Sequence, residues 1–143
     1  MFKSFLIKPL FLSLLFCCFA ISSTAAFAMD LDQEKVAEML AETEAPDGVV
    51  FELIGNEGDY LLNAIKKVET YKAQLQKKFP ELEIAVVSHG SEKFNLTKAK
   101  QNESKDTHTR VQRLVADDVP VHICAVHASW RDVAPKDFPD YIS

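Results

Sequence analysis

Three short apolar runs alternate with two longer amphipathic ones, and that alternation constrains the fold of this 143-residue chain more than anything else in it. The runs are residues 48–54 (GVVFELI), 82–88 (LEIAVVS) and 119–126 (VPVHICAV). Each is rich in β-branched and aliphatic side chains and lies beside Gly, Pro or Asp, the composition of strands bounded by turns. Between the first two lies 59–79, where Leu61, Leu62, Ile65, Val68, Tyr71, Leu75 and Phe79 recur at spacings of three and four. That is the period of a helix with one buried face. Asp59 stands where it can cap this helix, and Pro80 stops it. Residues 107–116 repeat the pattern more briefly through Val111, Leu114 and Val115, while the polar stretch 91–105 fits no element. Strands joined by such long links pair in parallel through right-handed crossovers. Strands this continuously apolar are expected to be covered on both faces. The expected fold is therefore a three-layer α/β/α sandwich with a mainly parallel sheet.

The start of the chain has a different character. Lys3 and Lys8 precede an uncharged apolar run, 9–21 (PLFLSLLFCCFAI), and Ala26-Phe27-Ala28 follows it. A positive start, an apolar core too short to span a bilayer and a small-x-small end make the pattern of a secretory signal peptide. The expected organisation is a signal peptide over 1–28, a helical extension over 29–47 carrying Leu31, Val36, Met39 and Leu40, and an α/β domain over 48–143. Cleavage after Ala28 removes Cys17 and Cys18 and leaves Cys124 as the only cysteine. It also removes two lysines, so the formal charge of −5 becomes −7. So acidic a body disfavours nucleic acid and anionic membranes as partners. The expected location is periplasmic or secreted, with no membrane contact after cleavage.

Candidate chemistry follows from the parallel sheet, because ligands of open α/β sheets collect beyond the carboxyl ends of the strands. That rule selects Gly55-Asn56-Glu57, His89-Gly90-Ser91 and the segment from Cys124 to Trp130. Three readings of Cys124 stay open. It is a reactive thiol assisted by His89 and His127, with Asn56 as a loop contact. Or it is a packing residue, since cysteine is among the most buried side chains. Or it belongs to a metal centre with His89, His122 and His127, although none of the usual paired-ligand spacings occurs. Strand alternation places His122 and Cys124 on one face and His127 on the other. His108, at a polar helix start, is expected to be solvated, and Trp130 to be a core anchor.

Several of these segments together resemble a known family. Gly48-Val49-Val50-Phe51-Glu52-Leu53, the long helix after it, Ala85-Val86-Val87-Ser88-His89-Gly90 and Val119-Pro120-Val121-His122-Ile123-Cys124 look like the DsrE/DsrF-like proteins. Ala128-Ser129-Trp130-Arg131 and Pro135-x-Asp137-Phe138-Pro139-Asp140-Tyr141 are similar to the exported, signal-peptide-bearing branch. The resemblance implies a three-layer fold, assembly into trimers or hexamers, and sulfur carried as a persulfide on Cys124, the position that matches the family's cysteine. It implies a sulfur donor or acceptor protein, or a small sulfur compound, as partner, and no cofactor. Two departures stand out. The relay relatives are cytoplasmic, and they tend to continue into a further strand where this sequence stops at Ser143.

Overall fold

A computed structural model describes residues 31–143, so the expected signal peptide lies outside the described residues. The chain begins with helix α1 (Leu31–Ala41), followed by strand β1 (Val49–Leu53) and helix α2 (Tyr60–Lys78). Strand β2 (Ile84–Ser88), two 3-10 turns (Ser91–Leu96 and Lys98–Lys100) and helix α3 (Lys105–Ala116) come next. Strand β3 (Val121–Ile123), the short helix α4 (Ala125–Ser129) and a last 3-10 turn (Pro135–Asp137) complete it. Among the described residues no helix is long and apolar enough to cross a membrane.

The three strands form one parallel sheet in the order β1-β2-β3, so the fold is the α/β sandwich expected from the alternation of elements. Helix α2 forms because Leu61, Ile65, Val68 and Leu75 fall on one face and are buried, while Lys, Glu and Gln occupy the others. Lys77 and Lys78 close it against the negative end of its dipole. Asp59 sits at its N-cap position but makes no side-chain cap, contrary to expectation; its carbonyl accepts from Asn63. Helix α3 packs on α2 through Val111 and Leu114, and α1 packs on α2 through Val36. These helices meet the face of the sheet that carries Val49, Leu53, Ile84, Val86 and Val121, all buried. Burying each such side chain stabilises the fold by about 1.5–3 kcal/mol. The opposite face, expected to be covered as well, is open along β1, where Val50 and Glu52 are exposed, and only half-covered at Ala85, Val87 and His122.

Strand β3 is shorter than expected, three residues in place of eight. At its start, the Val119 amide still bonds to Leu114 as part of the turn that ends α3. Pro120 contributes only its carbonyl, which accepts from Val86. At its end the Cys124 amide makes the last rung, to the Ser88 carbonyl at 3.0 Å, and the chain turns at once into α4. Beyond β3 the chain terminus closes the sheet edge. Ser143 exchanges backbone hydrogen bonds with Val121 and Ile123, and its hydroxyl meets His122 Nδ1.

Candidate functional site

The strand register decides where the site lies. Leu53 pairs with Ser88 and Ser88 with Ile123, so the three strands end level with one another. The loops after them therefore emerge side by side: Gly55 on one flank, His89 and Gly90 in the middle, Cys124 on the other. These are the three places that the parallel-sheet rule selected.

The middle loop is built around a buried carboxylate. Glu92 is fully buried, and its Oε2 accepts from the Gly55 amide at 2.7 Å. Its Oε1 accepts from the Ser88 hydroxyl at 2.6 Å and from the Gly90 amide at 3.0 Å. One side chain thus ties the end of β1 to the end of β2. The approach is close enough to require glycine: a Cβ on Gly90 would lie 2.5 Å from the Gly55 amide nitrogen. The Ser91 amide completes the tie by donating to the Gly55 carbonyl.

Lys93, the next residue, is also fully buried. Its ammonium donates to the His89 carbonyl at 2.9 Å and lies 2.8 Å from His127 Nδ1. His127 Nδ1 is in turn 2.9 Å from that same carbonyl. Burial pulls the Lys93 amine below the usual lysine range. Negative charge on Cys124 opposes that shift most, negative charge on Glu92 opposes it next, and Arg131 adds to it.

Cys124 itself is partly buried, at the N-terminal boundary of α4. Its carbonyl accepts from the Ala128 amide, which sets His127 on the first turn of the helix that the cysteine begins. The strand-alternation argument for His127 consequently fails, because the strand ends at Ile123 and the helical turn brings His127 back over the β2 loop. The His127 ring stands edge-on to Phe94 and to Trp130. Arg131 lies over the Phe94 ring at 4.7 Å, pairs with Glu57 and donates to the Ser91 hydroxyl. It thereby latches the α4 end to the loops after β1 and β2.

The residues selected from sequence are distributed unevenly around this centre. His127 joins the Cys124 surroundings through Lys93. His89 supplies its carbonyl, but its ring turns away to Glu52, with Nδ1 2.6 Å from the carboxylate. Asn56 is exposed on the same edge and makes no hydrogen bond to Cys124, Lys93 or His127 among the described residues. The metal alternative does not assemble. His89 faces Glu52, His122 faces Ser143 and His127 faces Lys93, and among the described residues no three His, Cys, Asp or Glu side chains are grouped to hold an ion. His108 is not solvated: it is 2% exposed, bonded to the Tyr141 hydroxyl and to the Asn95 carbonyl. Nor is Trp130 a core anchor, at 76% exposed. Sequence reasoning missed Glu92 and Lys93. Their one signal was position, just beyond the His89-Gly90-Ser91 turn that follows β2.

The fold is a parallel α/β sheet with a half-buried cysteine at its carboxyl edge. The ychN protein from E. coli has a similar crystal structure, with a TM-score of 0.53 over 68% of this chain and 82% of the other. The two share 16% sequence identity, so the likeness is one of fold, and it supports the DsrE/DsrF-like fold for this chain. No protein-family model and no curated protein matches the sequence.

Proposed function

We propose that this chain is an exported DsrE-like protein that binds or relays sulfur as a persulfide on Cys124. The observation that carries the reading is a partly accessible cysteine at the strand-end position, in a carboxyl-edge site that also holds the buried Lys93. A thiolate is the species that attacks a sulfane sulfur, and a neighbouring cation favours it. Attack on a polysulfide breaks an S–S bond in the donor, forms one on Cys124 and expels a shortened polysulfide anion, with no added oxidant.

The residue set proposed for this activity is Cys124 as carrier, with His127 and the His89 carbonyl acting through Lys93. The donor or acceptor is a protein or a small sulfur compound. Export follows from the signal-peptide pattern over 1–28, with release as a periplasmic or secreted protein. Assembly into a homo-oligomer, a trimer or hexamer, is favoured by the sheet face that leaves Val50 exposed. Light scattering on the purified chain reads that directly.

Cyanide tests the chemistry. Protein loaded with polysulfide and freed of excess donor should release thiocyanate when treated with cyanide, and Cys124→Ala should release less by one equivalent per chain. Equal release from the two proteins would sink the proposal.

A further inference from the structure

Residues 140–143 lie along the outer edge of β3 and are held there at two histidines. Ser143 donates its amide to the Val121 carbonyl and accepts from the Ile123 amide, one rung of parallel pairing opposite His122. Its hydroxyl meets His122 Nδ1 at 2.8 Å. The Tyr141 hydroxyl meets His108 Nδ1, and His108 is fully buried. Ile142 is half-buried, and exposed Asp140 reaches Lys98 at 3.6 Å. Behind them Phe138 and Pro139 are buried and anchor the segment. The four residues thus form a strap over the sheet edge, tied to the interior through His108.

The partners of His108 fix its protons. The Asn95 carbonyl, 3.0 Å from Nε2, only accepts, so Nε2 carries a hydrogen. In the neutral ring Nδ1 is then bare, and the Tyr141 hydroxyl donates to it. A second proton goes to Nδ1, where it turns the tyrosine from donor to acceptor and leaves a cation out of water. The charged groups on the surrounding elements are engaged elsewhere. On α3 and α2, Arg110 pairs with Asp106 and Glu69, and Lys72 with Asp117. On the 3-10 turns, Glu92 binds the loop donors, Lys93 the β2 loop, and Lys98 and Lys100 pair with Asp140 and Glu103. His122 on β3 faces Ser143, and no charged side chain contributes to the downward shift that burial imposes on His108. A charged His108 is therefore stabilised by water alone.

Water reaches the ring most cheaply by lifting the strap, since opening a segment with so few ties costs less than unfolding the core. We infer that residues 140–143 are an acid-released strap: protonation of His108 frees Tyr141 and uncovers the β3 edge at Val121 and Ile123. The Cys124 amide bonds to Ser88 on the inner side of β3, so the rung that holds the cysteine stays in place. The closed strap keeps His108 neutral, and the open one leaves it an ordinary imidazole with a pKa of about 6.5. Falling pH therefore favours the open form. Between pH 7 and pH 5 its equilibrium constant rises by at most about 25-fold, the ratio of proton uptake by such an imidazole at the two values.

Amide exchange followed by NMR on the purified chain tests this without any sulfur chemistry. Corrected for intrinsic exchange rates, the protection of the Ile123 and Ser143 amides should fall by about threefold or more between pH 7 and pH 5, up to that ceiling. The Cys124 and Ile65 amides should keep theirs. In His108→Gln, which does not titrate, the fall at Ile123 and Ser143 should vanish. A smaller fall in wild type overturns the inference. An equal fall in His108→Gln overturns it too, because it assigns the effect to His122, and so does a fall shared by Cys124 and Ile65, which is global unfolding. If His108→Gln does not fold, the wild-type ring decides. The titration of the His108 carbon-bound protons should coincide with the loss of protection at Ile123, and a ring that titrates while Ile123 stays protected overturns the inference.

Discussion

Glu92→Ala is the sharpest structural perturbation. The carboxylate accepts from Gly55, Gly90 and Ser88 at 2.7, 3.0 and 2.6 Å, and it is fully buried. Truncation strands three donors. A buried donor left unpaired costs about 1–3 kcal/mol, and because the two glycine amides are only partly enclosed the lower half of that range applies, giving about 3–6 kcal/mol in total. A domain of this size has about 5–15 kcal/mol of stability, so the variant should sit close to its limit. Glu92→Gln keeps one carbonyl oxygen and turns the other position into a donor that faces donors, so about half that loss is expected. Urea denaturation followed by far-UV circular dichroism measures both, through the shift in midpoint at constant slope. Amide exchange adds spatial resolution: Gly55 and Gly90 should exchange faster while Leu75 and Ile65 stay protected. A Glu92→Ala protein within about 1 kcal/mol of wild type, with Gly55 and Gly90 still protected, would refute the claim that this side chain ties the two loops.

Two further outcomes test parts of the structure away from that carboxylate. Burial holds His108 below the ordinary imidazole range, opposed only by the Asn95 carbonyl, so the unfolded chain takes up the proton first as pH falls. The stability that depends on neutral His108 is full above about pH 6.5 and is lost as pH drops through the lower folded-state value. Between pH 7 and pH 5 the urea midpoint of wild type should fall further than that of His108→Gln; parallel falls would contradict the burial argument. Trp130→Ala should change stability by no more than about 0.5 kcal/mol, because its ring is largely in solvent. A loss of 2 kcal/mol or more by thermal melting (on the scale of a buried aromatic) would mean the ring is packed after all.

The backbone framework was legible because it is periodic. Leu61, Ile65, Val68 and Leu75 announce α2, and the apolar runs announce three strands whose order the crossover rule makes parallel. Element ends were less legible, as β3 shows: Val119 reads as strand but is held by α3, a contest between two hydrogen-bond partners that composition does not reveal. The site was half legible. The strand-end rule put Cys124 and His127 at the carboxyl edge of the sheet, where they lie, but Glu92 and Lys93 belong to the polar stretch 91–105 that fitted no element. Their burial depends on amides and a ring supplied from Gly55 and His127, 37 and 34 residues away in sequence. No local window holds that information. The same holds for His108, whose partner Tyr141 is 33 residues distant. Trp130 misled in the opposite sense, since an aromatic side chain is usually packed and none of the described elements covers this one.

The central claim is that Cys124 carries sulfur, and peptide-resolved mass spectrometry tests it most directly. After incubation with polysulfide and alkylation of the product, the tryptic peptide 114–131 should appear with added mass of about 32 Da per sulfur atom, placed on Cys124 by fragmentation. The same peptide found only as the simple alkylated thiol, under conditions where a control low-molecular-weight thiol is fully persulfidated, would contradict the account.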